Sequence, residues 1–206
     1  MKYNATCFCS NLSQGIRIIK DPETARLLGE ENRRRMLHML RHREMSVTDL
    51  AKALDKPHSS VQHHLNLLRD VGLVTETRQE KVRNMVQPFY RATAHRFIIS
   101  YSLTEALADD EAFITWRRSQ RNKIIDGLRE IGITFPLELK AEIDDLITIC
   151  VDHEVKAFEE SLEKVNSPNI DRHTQRAIVQ FLTQFDLAKD EKHILALKRL
   201  NQIMKV

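Results

Sequence analysis

The chain has 206 residues, 42% of them apolar, carries a formal net charge of +3, and contains only 5 Gly and 5 Pro. That is enough chain for one large domain or two small ones, and too few turn residues for a β-rich fold, which needs them about every eight to twelve positions. No apolar run approaches the roughly 18 residues of a membrane span; the first 15 residues hold one lysine and no apolar core of a secretory signal, so a cytoplasmic protein is expected. Three cysteines, at positions 7, 9 and 150, do not make a disulfide framework. Charge is unevenly placed: residues 1–96 carry 17 Lys and Arg against 10 Asp and Glu, whereas residues 97–206 carry 15 against 19. A basic N-terminal half suits nucleic acid and the mildly acidic remainder suits protein or self-association, although a solvated surface of uneven charge has the same composition.

Residues 1–20 read as a leader. Asp21-Pro22 opens a short helix over 22–28, and a second helix over 31–42 sets Met36, Leu37 and Leu40 on one face. Ser46 and Asp49 stand at the spacing of a capping box, with Asp for the usual Glu, ahead of an apolar stripe of Val47, Leu50, Ala51 and Leu54. After the connection Asp55-Lys56-Pro57 comes SSVQHHLNLLRDVGLV (59–74), a helix with Pro57 in its first turn, with Val61, His64, Leu65 and Leu68 inward and with Gly72 at a left-handed C-cap. Two helices joined by a three-residue turn form a helix-turn-helix. Residues 73–77 and 85–92 read as strands around a loop, TRQEKVRN, that holds Arg78, Lys81 and Arg83, with Pro88 tolerable on an edge. That hairpin completes a winged helix-turn-helix.

Beyond residue 97 the pattern is helical throughout. Phe113, Ile114, Ile124, Ile125, Leu128 and Ile131 mark one helix ending near Gly132. Leu139, Ile143, Leu146, Cys150, His153 and Ala157 form a coiled-coil-like seam. Ile178, Phe181, Leu182 and Phe185, then Ile194, Leu197, Leu200 and Met204, continue as further helices. The expected fold is mainly α with a small β wing: leader (1–20), winged helix-turn-helix DNA-binding domain (21–96), and a helical dimerisation region and possible sensor domain (97–206).

These residues resemble the ArsR-type winged-helix transcription regulators. LGEENRRRMLHML (28–40) looks like that family's opening helix, with an arginine at Arg33; MSVTDLAKAL (45–54) looks like its next helix; SSVQHHLNLLRDVGLV resembles its recognition helix and the start of its wing, with the His-Leu pair at His64 and Leu65; PFYRAT (88–93) resembles the returning wing strand. The match covers about residues 21–96, and the remainder resembles the helical extension of certain archaeal members. The resemblance implies a homodimer that binds a palindromic operator and usually represses. Metal-sensing members carry a Cys-x-Cys box where this chain reads SVTDL, with no thiol, so the resemblance does not extend to that metal site.

The major groove admits one α-helix, and base edges are read by short side chains that donate and accept hydrogen bonds. Gln62, His63 and Asn66 share the outer face at helical spacing and are candidates for base contacts. Ser59 and Ser60, near the helix N-terminus, are candidates for phosphates, and Arg69 for the backbone. Arg78, Lys81 and Arg83 suit the flanking minor groove or phosphates. Each of these types is also ordinary on a wet surface. His64 reads as a structural histidine with a hydrogen-bond partner. Cys7 and Cys9 are weak metal or redox candidates, because a closed metal site wants four ligands and nothing dictates the others; no metal or cofactor is assigned. Cys150 and His153 suit core packing better than a ligand site. The basic run Arg117, Arg118, Arg121 and Lys123 reads as a wet helix face, or as a second DNA surface. No phosphate loop, dinucleotide motif, HExxH or nucleophile elbow is present, so an enzyme is not expected. Two alternatives remain open: a winged-helix protein-interaction module in a larger assembly, and a thiol- or metal-responsive sensor using Cys7 and Cys9.

Overall fold

The computed structural model describes residues 15–82, 85–165 and 169–204, so Cys7, Cys9 and Arg83 lie outside the described residues. The chain is mainly helical with a small β wing, and it divides into two compact units. One comprises Gly15–Ile99 with Ala106–Phe113; the other holds Ser100–Glu105 and the chain from Ile114 on.

In the first unit, strand β1 (Ile16–Ile19) pairs in parallel with β5 (Arg96–Ile99), Ile16 opposite Arg96. Both strands depart from the sequence reading, which gave 16–19 to a leader and everything after 97 to helix. Helix α1 (Pro22–Leu27) starts as expected: Pro22 is its first residue, and the Asp21 carboxylate accepts from the Thr24 amide at 2.8 Å and the Thr24 hydroxyl at 2.6 Å. Helix α2 (Glu31–Leu40) is capped by Glu30, which accepts from the amides of Asn32 (3.0 Å) and Arg33 (2.8 Å). Arg33 and Arg34 turn back to the carbonyls that α1 leaves open, Arg33 to Leu27 and Arg34 to Leu28 and Gly29. These two arginines close a helix end.

Helix α3 (Val47–Leu54) has the full capping box: Asp49 N–H donates to Ser46 Oγ at 3.2 Å, and Ser46 N–H to Asp49 Oδ2 at 3.0 Å. Helix α4 follows (His58–Asp70), then β3 (Val74–Val82) and β4 (Met85–Ala92), which pair antiparallel. The two-residue strand β2 (Met45–Ser46) adds to β4, giving the order β2-β4-β3. Strand β3 runs five residues further than the sequence suggested, so Arg78 and Lys81 sit on a strand and only 83–84 separate Val82 from its partner Met85. Cross-strand pairing holds this polar stretch extended, with a register shift between Glu76 and Arg78 where one extra residue is taken up. The core combines Met36, Leu40, Leu50, Val61, Leu65, Leu68, Leu73 and Val74, all at most 2% exposed. Burying each contributes roughly 1.5–3 kcal/mol before entropy is counted.

The second unit is helical: α5 (Glu111–Glu130, its residues up to Phe113 belonging to the first unit), α6 (Lys140–Lys164), α7 (Arg172–Leu187) and α8 (Glu191–Ile203). Ile125 of α5, Ile143 and Ile147 of α6, and Leu200 and Ile203 of α8 form its core, with Leu139, Leu146 and Cys150 packed beside them. Burial, with Glu154 nearby, pushes the Cys150 thiol up, as suits an inert core thiol. Arg117 and Arg121, read as a wet face, are partly buried partners of Asp152 and Asp144 on α6. His153 binds Asp190, the N-cap of α8, at 2.5 Å. Helix α7 inverts the expected pattern: it buries Gln175, Val179, Thr183 and Leu187 while Phe181 and Phe185 stand 67% and 48% exposed, stacked on each other.

Candidate nucleic-acid interface

Two tight helix ends fix how α4 is presented. Asp55 takes a left-handed conformation (φ 53°, ψ 51°) at the end of α3, and Lys56 N–H returns to Ala51 O at 3.1 Å. Asp tolerates this region better than most residues with a Cβ. At the far end of α4, Gly72 has φ 70°; Leu73 N–H reaches Leu68 O and Gly72 N–H reaches Arg69 O, both at 2.8 Å. That pair of bonds is a Schellman motif with glycine where a left-handed residue is needed.

Arg17 adds a cation at this end. Its guanidinium donates to the Gly72 carbonyl and, at 3.0 Å, to the Val71 carbonyl, while Thr93 Oγ1 donates to Gly72 O at 2.9 Å. A positive charge on the last carbonyls of a helix is favourable. Burial lowers the Arg17 pKa, which still leaves an arginine charged at neutral pH. The sequence reading missed Arg17 because its partners lie more than fifty positions away.

The start of α4 is open. Pro57 is the N-cap (φ −56°, ψ 141°) rather than a first-turn residue, so it has no side chain to offer the helix, and the first intrahelical bond is Val61 N–H to Pro57 O at 3.1 Å. The amides of His58, Ser59 and Ser60 therefore precede any intrahelical partner and have no side-chain cap. Ser59 is exposed and Ser60 partly exposed.

Along the helix, Val61, Leu65 and Leu68 are buried, while His63 and Arg69 are exposed and Gln62 and Asn66 partly exposed. Gln62 Nε2 donates to Asn66 Oδ1 at 3.0 Å, and Arg69 lies 3.8 Å from Asp70. His64 is only partly buried, yet its Nδ1 is enclosed without a hydrogen-bond partner, which corrects the reading of a satisfied histidine. Burial lowers its pKa, against the opposing charge of Glu30.

In the wing, Lys81 is exposed, but Arg78 is already engaged: it binds Glu44 at 2.9 Å and Glu80 at 3.0 Å and lies 3.8 Å over the Phe89 ring. Local sequence pairs Arg78 with Glu80, whereas Glu44 arrives only through the fold. Other polar groups passed over are Lys56 and His58, exposed beside the open end of α4, and the end of α2, where Arg41 lies 2.7 Å from His38 Nδ1 and donates to His42 Nε2 at 3.1 Å. The Arg41 charge pushes His38 down.

Among known families, residues 30–76 match the model described as bacterial regulatory protein, arsR family, a span running from the cap of α2 through α3 and α4 into β3. This segment resembles an ArsR-type helix-turn-helix. The ArsR-type segment is also similar to two proteins named cadmium resistance transcriptional regulatory protein CadC, from Listeria innocua serovar 6a and from Lactococcus lactis subsp. lactis. Each is 34% identical over 58 residues, 28% of this chain and 49% of the relative. The chain thus spans about half the length of the curated relatives it matches. The crystal structure of Bacillus subtilis PadR in complex with operator DNA aligns with 82% of this chain and 97% of its own at 16% identity, but a TM-score of 0.28 is too low to bear on fold or function. Among the described residues no group of three or more His, Cys, Asp or Glu could hold a metal, and no helix is long and apolar enough to cross a membrane.

Proposed function

We propose that the chain is a sequence-specific, DNA-binding transcriptional regulator that acts as a homodimer on a palindromic operator and represses by occupying it. The observation that carries this reading is the two-sidedness of α4 within the ArsR-type segment: Val61, Leu65 and Leu68 are buried, while Ser59, Gln62, His63 and Asn66 remain accessible on the other side. Gln62, His63 and Asn66 address base edges, and Ser59, Ser60 and the uncapped amides address phosphates. Arg69, Lys81 and Arg83 supply cations to the backbone. Arg78 joins them only by exchanging Glu44 and Glu80 for a phosphate.

A dimer through the helical half is supported by the outer stripe of α7. Exposed Phe181 and Phe185 with partly buried Ile178 and Leu182 are unusual on a face turned to water. They suit a second copy of α7 lying antiparallel: a two-fold axis at Phe181 sets the two Phe181 rings together and Phe185 of each copy near Ile178 of the other. On a palindromic operator the two copies of α4 would have to reach half-sites about 34 Å apart, one turn of DNA.

A mobility-shift titration with total genomic fragments tests the reading. Neutralising on the order of six to ten phosphates per dimer predicts an affinity loss of about a thousandfold or more between 50 and 200 mM salt. Absence of a shifted band, or a flat salt response, would remove the proposal. Phe181→Asp should leave the fold intact and give a monomer in sedimentation; an unchanged mass would rule out the α7 pairing.

A further inference from the structure

We infer that Asn66 reads an adenine in the major groove and that Gln62 is the positioning residue that sets which end of the Asn66 carboxamide faces which atom of the base. This rests on the DNA-binding reading above and deepens it to a base and a pair of atoms. Gln62 and Asn66 are one turn apart on the accessible side of α4, and Gln62 Nε2 donates to Asn66 Oδ1 at 3.0 Å. A lone asparagine amide turns over freely, presenting oxygen or nitrogen to a given spot. With Gln62 donating, as it does here, the Asn66 oxygen is the atom that faces it, and turning Asn66 over requires Gln62 to turn over as well.

The carboxamide so fixed has one donor set and one acceptor left for a partner. The second lone pair of Oδ1 accepts, and Nδ2 donates. In the major groove adenine offers N6–H as a donor beside N7 as an acceptor, and these match Oδ1 and Nδ2 in turn. Guanine offers two acceptors, O6 and N7, and would set its O6 against Oδ1 with no proton between them. Thymine offers O4 and a methyl group, and so leaves Oδ1 unanswered. The pair therefore selects adenine and rejects guanine on the same strand most strongly. Gln62 Oε1 is left to meet an adjoining base edge or water at its partly exposed position.

The test uses the full chain and random-sequence duplexes at fixed moderate salt, with retained fragments sequenced for wild type, Asn66→Ala, Gln62→Ala and Gln62→Glu. Wild type should enrich an adenine at one position of each half-site. Replacing that base by 7-deazaadenine, which lacks the N7 acceptor, should weaken wild-type binding by about 5- to 150-fold and leave Asn66→Ala unaffected. Gln62→Ala should narrow the adenine-to-guanine ratio while keeping its direction. Gln62→Glu should erode it further, since a carboxylate accepts from Nδ2 and turns the amide over; because the ratio is taken within each protein, the added charge cancels. Unchanged melting of the variants would show that they remain folded. Enrichment of another base, or equal 7-deaza sensitivity in wild type and Asn66→Ala, overturns the Asn66 assignment while DNA binding stands; an unchanged ratio in both Gln62 variants overturns the positioning role. If wild type enriches nothing, the regulator reading falls and takes this one with it.

Discussion

Replacing Arg17 by Met keeps the length and apolar stem of the side chain and deletes its charge and donors. In the native chain the guanidinium holds two carbonyls at the end of α4, Gly72 and Val71, with a 3.5 Å approach to Thr93 Oγ1. A hydrogen bond to a charged group contributes about 1.5–3 kcal/mol, and a cation at a helix C-terminus about 0.3–1 kcal/mol. These do not add in full. Thr93 still serves the Gly72 carbonyl at 2.9 Å, and the site is only partly buried, so water can replace what Val71 loses. The expected cost is about 1–2 kcal/mol, read as a lower urea midpoint at unchanged slope. Because Thr93 and Arg17 share the Gly72 carbonyl, Arg17→Met and Thr93→Val should be non-additive by about 0.5 kcal/mol or more. A midpoint within error of wild type, or strictly additive losses, would refute the claim that Arg17 ties β1 to the end of α4.

Ser46→Ala removes both bonds that its hydroxyl makes with Asp49 and should cost about 1 kcal/mol, at most about 2, by thermal or urea melting. The Ser46 hydroxyl and amide hold the Asp49 carboxyl below the usual range, so its contribution is present above the unfolded value and is lost as pH falls through the lower folded value. Ser46→Ala should flatten that acid limb. Gly72→Ala has room for its Cβ, the nearest atom being Arg17 Nη1 at 3.5 Å, but must hold φ near +70°, and should cost about 1–2 kcal/mol in the same melts. His64 runs on the opposite chemistry in the same pH direction. Burial disfavours its proton in the folded chain, so the chain should lose stability as pH falls below the unfolded histidine value, and His64→Gln should lose less over that window.

The parts of the fold legible in the sequence were those settled within a few residues. Ser46 and Asp49 meet across one turn, Asp21 caps α1, and Gly72 occupies the one conformation that few other residues share. The accessibility of His63 and Gln62 was legible for the same reason, since Val61, Leu65 and Leu68 define the opposite stripe by spacing alone. What failed was long-range or symmetric. Strand β1 is four residues whose partner lies eighty positions on, and nothing in IRII distinguishes it from a leader. On α7 two stripes share the helical period, and apolarity favoured the one with Phe181 and Phe185; the monomer instead buries the one with Gln175 and Thr183. Periodicity finds a face but does not say what covers it. Arg78 looked like a free wing cation because Glu44, thirty-four positions earlier, reaches it only once β2 and β4 have paired.

Helix α4 is tied at both ends. A three-residue turn with a left-handed Asp55 holds one end, and Gly72 with Arg17 holds the other. On the proposed reading, α4 cannot turn within its own unit to follow an imperfect site, so part of any mismatch is passed to the duplex. Bending a 20–30 base-pair site by 40–90° costs about 1–6 kcal/mol, depending on its steps. Operators should then be ranked partly by the compliance of the spacer between half-sites, at base pairs that neither helix touches.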